Sequence, residues 1–191
     1  MASGSDDGSI IVHSTSSNKV EHRADNVFAG TVRGLCYLRN GSLVACGRDG
    51  GLVFSPSLEL VQTLVGHTNH VSCVAVSPSG SHIASGGGDK KVMIWSEPGE
   101  GGEWARVQVL EDHTETILAV CFSPDGKQLA TASYELIKLY SFKEGNAILA
   151  HTLEGHTGWV RSLSFSPDCK LLCSGSDDES IKSWNPAMEA W

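Results

Sequence analysis

Residue types that can build a nucleophilic site recur in this chain at fixed intervals. His67 stands 22 residues before Asp89 and Ser85 stands four before it; His156, Ser174 and Asp178 repeat both offsets. Covalent catalysis needs a serine, a base touching it and a carboxylate to orient the base, together with an exposed hydroxyl and oxyanion donors. No Gly-x-Ser-x-Gly elbow surrounds either serine. The set also occurs twice, each time with a tryptophan, Trp95 or Trp184, six residues past the aspartate. Repetition at equal offsets is expected of a structural tie, in which histidine, serine and a turn amide satisfy a buried aspartate, and not of a single active centre. The sequence thus offers no catalytic residue.

Two further units depart from this pattern. His113 lies 22 residues before Glu135, with Thr131 four before it, but Tyr140 follows after only five. Glu135 is therefore expected in the aspartate place, in a turn one residue shorter and with a weaker network. The unit from Thr31 to Leu64 keeps Asp49, with Val27 at the histidine place and Ala45 at the serine place. At the front, Ser3 to His13 aligns position for position with Ser174 to Trp184.

The elements that must position these residues are short β-rich runs separated by turns. Gly66-His67-Thr68, Asp112-His113-Thr114 and Gly155-His156-Thr157 recur at steps of 46 and 43 residues. Each precedes an apolar run ending in a Ser-Pro turn: Ser77-Pro78-Ser79-Gly80, Ser123-Pro124-Asp125-Gly126 and Ser166-Pro167-Asp168-Cys169. Proline followed by Asp or Ser and Gly is hairpin chemistry. A second run and a third, ending in Trp95, Tyr140 or Trp184, complete each unit. This is an antiparallel all-β pattern, with a period in the forties that suits a propeller blade.

These residues resemble the WD40 repeat family, over almost the whole chain. The resemblance implies a β-propeller or partial propeller of about four to five four-stranded antiparallel blades. One WD40-repeat domain spans 1–191: a partial blade 1–26, blades near 27–65, 66–111 and 112–154, and a final incomplete blade 155–191. It also implies that His67, Ser85, Asp89 and Trp95, with His156, Ser174, Asp178 and Trp184, form the structural network that ties outer strands to inner turns. His113, Thr131 and Glu135 would be a degraded copy. A closed ring in this family takes about seven blades, roughly 280–300 residues, so three expectations stand: a piece of a longer protein, favoured by a Met placed inside a repeat; a chain completed by a second copy; or a small closed ring.

Propellers of this family hold partners on the top face, beside the first-strand Val or Ile and just before the blade aspartate. Carried over, the first kind are Thr31 and Arg33, His70 and Ser72, Thr116 and Leu118, and Trp159 and Arg161. The second kind are Asp6, Arg48, Gly88, Tyr134 and Asp177. Of these, Arg33, Arg48, His70, Tyr134, Trp159, Arg161 and Asp177 are the candidate contact residues, because aromatics and guanidiniums dominate interface hot spots. Three arginines on one rim would suit an acidic or phosphorylated peptide. The expected function is a non-catalytic protein-interaction scaffold without a cofactor or metal. The alternative is a fragment of a larger WD40 protein whose activity, as in ubiquitin ligase substrate receptors or cytoskeletal regulators, lies outside this chain.

Composition bounds the partners. Over 191 residues, 22 acidic side chains against 14 Lys and Arg give a formal charge of −8, which disfavours direct binding to nucleic acid or anionic membrane. No apolar run approaches the roughly 20 residues of a membrane helix. The N-terminus lacks the basic and apolar regions of a signal peptide, so cytosol or nucleus is expected and secretion is not. The six cysteines lack metal-ligand spacing; Cys169 and Cys173 could form a redox pair, against the compartment rule. Glu97 to Glu103 reads as a solvated acidic loop, Ser14 to Asn18 as a polar turn open to phosphorylation, and Trp104 and Trp191 as packing or terminal residues. His22, His82 and His151 show no ligand spacing.

Overall fold

A computed structural model describes residues 1–97 and 102–186. Part of the acidic loop, residues 98–101, and Trp191 lie outside the described residues. The described chain forms five antiparallel sheets in sequence order. Sheet 1 holds β1 (Ala2–Gly4), β2 (Ile10–His13) and β3 (Val20–Ala24). Sheet 2 holds β4 (Val32–Tyr37), β5 (Leu43–Gly47), β6 (Gly50–Phe54) and β7 (Leu60–Leu64). Sheet 3 holds β8 (Val71–Val76), β9 (His82–Gly87), β10 (Val92–Ser96) and β11 (Ala105–Leu110). Sheet 4 holds β12 (Ala119–Phe122), β13 (Gln128–Ala132), β14 (Ile137–Lys143) and β15 (Asn146–Leu153). Sheet 5 holds β16 (Val160–Phe165), β17 (Leu172–Ser176) and β18 (Ile181–Trp184). No helix among the described residues is long and apolar enough to cross a membrane.

The Ser-Pro turns close the first hairpin of sheets 3, 4 and 5 in one way. The fourth turn residue donates its N–H to the serine carbonyl, at 2.8 Å for Gly80, 2.9 Å for Gly126 and 2.9 Å for Cys169. All three sit in the left-handed region, with φ of 82°, 70° and 60°. Glycine adopts that conformation without strain, whereas Cys169 does so against its Cβ. All six cysteines are free thiols; burial pushes the thiols of Cys46 and Cys121 up to about 12, which keeps them unreactive.

Four buried apolar clusters lie between consecutive sheets, one per junction. At the junctions on either side of sheet 4, the later sheet contributes the larger side chains and the earlier one the smaller. Leu129, Tyr140 and Phe142 of sheet 4, with Ile117 just ahead of β12, thus close on Ala75, Ala84, Val92 and Ile94 of sheet 3. In turn, Ala119, Ala130, Ala132, Ile137 and Leu139 of sheet 4 receive Val160, Phe165 and Leu172. Large against small is what lets facing layers interdigitate at core density.

The corresponding face of sheet 5 is open. Ser162, Ser164, Cys173 and Ser183 are exposed there, and Ile181 is 83% exposed where its counterparts Val92 and Ile137 are at 0%. Among the described residues no strand pairing and no buried cluster joins sheet 5 to sheet 1, so of the three expectations the small closed ring is the one not formed: the sheets stack as an open series. An internal comparison tests this. Ile137→Ala is expected to cost about 2–5 kcal/mol and Ile181→Ala less than about 0.5 kcal/mol in urea unfolding. Equal losses would mean that the sheet 5 face is covered.

Outer strands are also latched across junctions. The Gln62 side-chain amide takes the Trp104 N–H at 2.7 Å and donates to its carbonyl at 2.9 Å. Gln108 does the same to Ala147, at 2.7 and 2.8 Å. Trp104 itself is 8% exposed and packs in the junction of sheets 2 and 3.

Candidate functional site

In sheet 3 the trio forms a relay. Trp95 Nε1–H donates to Ser85 Oγ at 2.9 Å, and Ser85 Oγ lies 2.8 Å from His67 Nε2. His67 Nδ1 lies 2.9 Å from each Asp89 oxygen, and the Thr68 N–H donates to Asp89 at 3.0 Å. The donor balance sets the direction: the serine hydroxyl donates to Nε2, and Nδ1–H donates to the carboxylate. Sheet 5 repeats it through Trp184, Ser174, His156 and Asp178, at 2.8, 2.7 and 2.7 Å. Ser85 is 1% exposed and Ser174 2%, and each hydroxyl already holds an indole and an imidazole. No substrate can reach them, so the trio is a tie between strands.

The carboxyls carry the electrostatic mark of these ties. Burial raises the Asp89 carboxyl, but hydrogen bonds from His67 and Thr68 outweigh it and hold it below the usual range. Hydrogen bonds from Ser180 and then His156 hold Asp178 well below it.

Sheet 4 corrects one expectation: Glu135 does not take the aspartate place. It adopts φ of 60°, matching Lys90 (69°) and Glu179 (64°), which follow the aspartate in the other turns. The shortened turn has therefore lost the aspartate position itself. His113 Nδ1 meets Ser133 Oγ at 2.8 Å and Nε2 meets Thr131 Oγ1 at 2.7 Å. Tyr140 replaces the indole but donates to Asp112, at 3.1 Å. Among the described residues no carboxylate hydrogen-bonds the His113 ring, and burial, followed by Lys138, lowers it to about 4.

Sheet 2 corrects another. Asp49 Oδ2 accepts the Ala29 N–H at 2.6 Å, as Asp89 accepts from Thr68. Ala29 thus matches Thr68, and Phe28, not Val27, holds the histidine place. Phe28, Ala45 and Phe54 pack together where the other sheets bond His, Ser and Trp. Replacing all partners by apolar groups leaves no orphan, and so costs little.

At the end of the stack opposite the Ser-Pro turns, beside the turns that carry Asp49, Asp89 and Asp178, three inner strands carry a β-bulge: between Val32 and Gly34, between Val71 and Cys73, and between Val160 and Ser162. The extra residues are Arg33, Ser72 and Arg161, which a bulge re-aims away from the ladder. Arg161 does not add to a free positive field, because Asp177 holds it in a bidentate pair with Nε 3.0 Å from both oxygens. Arg33 and Arg48 are exposed and, with His70, line one notch. Tyr134 and Trp159 form an isolated backbone bridge, and their rings meet edge to face at 5.2 Å. Tyr134 is 41% exposed and Trp159 half-buried. Among the described residues no group of three or more His, Cys, Asp or Glu side chains could hold a metal ion.

Repeated antiparallel sheets, tied by indole, serine, histidine and aspartate and stacked through unequal faces, define the β-propeller repeat class. Within it, a family model for the WD domain, G-beta repeat, matches residues 58–96, 104–141 and 148–185. These stretches cover more than half of the chain, which belongs to this family. Among curated relatives, the chain is 60% identical over 37 residues to the small ribosomal subunit protein RACK1z of Arabidopsis thaliana, covering 19% of this chain and 11% of that protein. It is 50% identical over 50 residues to the ribosome biogenesis protein WDR12 homolog of Chlamydomonas reinhardtii, covering 26% and 11%. It is 31% identical over 144 residues to protein HIR1 of Phaeosphaeria nodorum, covering 65% and 13%. The chain thus spans little more than a tenth of the length of these relatives.

Proposed function

We propose that this chain is a non-catalytic protein-interaction module that holds a peptide or protein segment on the bulged rim. The observation that carries the reading is the Tyr134–Trp159 pair, two aromatic side chains that meet edge to face and stay accessible at the bulged end of the stack. Rigid aromatics beside guanidiniums supply large contact area at little entropic cost. Arg33, Arg48 and His70 extend the surface toward an acidic partner, while Arg161 and Asp177 brace the aromatic end. The names of the relatives, a ribosomal protein and a ribosome biogenesis protein, support an assembly surface in the cytosol or nucleus.

The exposed face of sheet 5 favours a second reading, in which this chain supplies part of a larger propeller and the activity lies elsewhere. One assay separates the two. Acidic and phosphorylated peptides are screened for binding by fluorescence polarisation, and the best is titrated against Trp159→Ala. The interaction reading expects a loss of at least about 30-fold, typical of a hot spot. Binding indifferent to Trp159, or no peptide bound at all, would favour the second reading.

A further inference from the structure

Sheets 2 and 5 fill the same two rim positions in opposite ways. In sheet 5 the bulge residue is Arg161 and the residue ahead of the tie aspartate is Asp177, and the two close a bidentate ion pair. In sheet 2 the bulge residue is Arg33 and the residue ahead of Asp49 is Arg48. A second cation stands where sheet 5 places the counter-ion. Neither arginine has a carboxylate partner among the described residues, yet both line one notch of about 330 Å³ with Ala29, Gly30, Thr31 and His70.

His70 is held in place for this notch. Asn69 Oδ1 accepts the His70 backbone N–H at 2.8 Å and lies 3.0 Å from ring Nδ1. With Nδ1 as the donor to Asn69, Nε2 is left available. Gly88 makes room for the ring, since a Cβ there would lie 2.5 Å from it. Burial, and then Arg33, lowers the His70 ring, while Asp89 opposes them. An anion beside Arg33 would cancel that repulsion and draw a proton onto the ring.

We propose that this notch binds the phosphate group of a phosphorylated partner segment, with Arg33 and Arg48 forking its oxygens and His70 Nε2 as a third donor. The proposal rests on the rim being a partner surface. One guanidinium satisfies one carboxylate, as Arg161 does Asp177. Two guanidiniums and a histidine that can gain a proton match the roughly −1.5 to −2 charge and the several acceptor oxygens of a phosphate ester.

The test titrates the whole chain at low salt, followed by NMR, with a blocked Gly-phosphoserine-Gly peptide, its Gly-Glu-Gly counterpart and inorganic phosphate. The phosphopeptide should shift the Arg33, Arg48 and His70 resonances saturably, bind at least about tenfold tighter than the glutamate peptide, and bind tighter than inorganic phosphate. Arg48→Asp rebuilds the sheet 5 pairing within sheet 2. It should keep the melting temperature and lose at least about tenfold in phosphopeptide affinity, and Arg48→Gln serves if that variant does not fold. Equal affinity for the glutamate peptide, or binding unchanged by either substitution, would overturn the site. Inorganic phosphate binding as tightly as the peptide would overturn the partner segment as its source. The Trp159 indole resonance reads the aromatic end separately, so failure of the notch is distinguishable from failure of the rim.

Discussion

Acidification from pH 6.5 to 4 is expected to remove about 3 kcal/mol of stability through His113 alone. The ring is 6% exposed and held between two hydroxyls, Thr131 and Ser133. Burial, with Lys138 adding to it, lowers the ring from 6.5 to about 4. Between those values the unfolded chain binds the proton and the folded one does not, so stability is full above pH 6.5 and falls as the pH drops. Asp89 and Asp178 act in a lower window. Their folded carboxyls are depressed, so their contribution is complete above the ordinary aspartate value, near 3.9, and is lost on further acidification. Urea midpoints measured from pH 7 to 3 should therefore fall in two limbs. His113→Gln, which cannot titrate, should flatten the upper limb and keep the lower. Parallel loss in both proteins across pH 6.5–4 would refute the assignment.

Trp95→Ala is expected to cost about 3–5 kcal/mol, the largest single side-chain effect among the ties. Trp95 is 2% exposed in the junction of sheets 2 and 3, and its removal leaves both a cavity and a Ser85 hydroxyl without its indole donor. The same change at Trp184 should cost clearly less, because that indole stays half-exposed at the open end. Trp95→Phe separates the two causes: it keeps most of the volume and loses the hydrogen bond, for about 1 kcal/mol. The measurement is denaturant unfolding of the three variants beside the parent. Equal losses at Trp95 and Trp184 would mean that the hydrogen bond, and not the burial, sets the value.

The sheets and the two complete ties were legible because each rests on residues repeated at equal spacing. Where the spacing shifts by one, counting misled. Val27 stands 22 residues before Asp49, but Phe28 holds the place, and only the apolar company of Ala45 and Phe54 could have signalled it. Glu135 keeps the count from His113, yet the deletion in its turn removed the aspartate position, and Ser133 answers the ring instead. The rim positions followed from the family resemblance. Their pairing did not, because whether Arg161 is free depends on a bulge that aims it at Asp177 across 16 residues. The Gln62 and Gln108 latches share the 46-residue step of His67 and His113 and were visible to the same arithmetic.

The matched repeats and the sheets are out of phase. Residues 58–96 contain β7, the outermost strand of sheet 2, and then β8 to β10 of sheet 3; 104–141 and 148–185 straddle the next two junctions in the same way. The unit that is copied and the unit that packs thus differ by one strand. Each inherited copy is a clasp whose first strand closes one layer and whose remainder opens the next. Deleting or duplicating one copy therefore never inserts or removes a finished layer; it exchanges the outer seam of one layer for another, and the new pair works only if the two seams are interchangeable. Such exchange holds the outer strands of neighbouring copies to a common edge pattern, and leaves the inner corners, where Arg33, Ser72 and Arg161 sit, free to diverge.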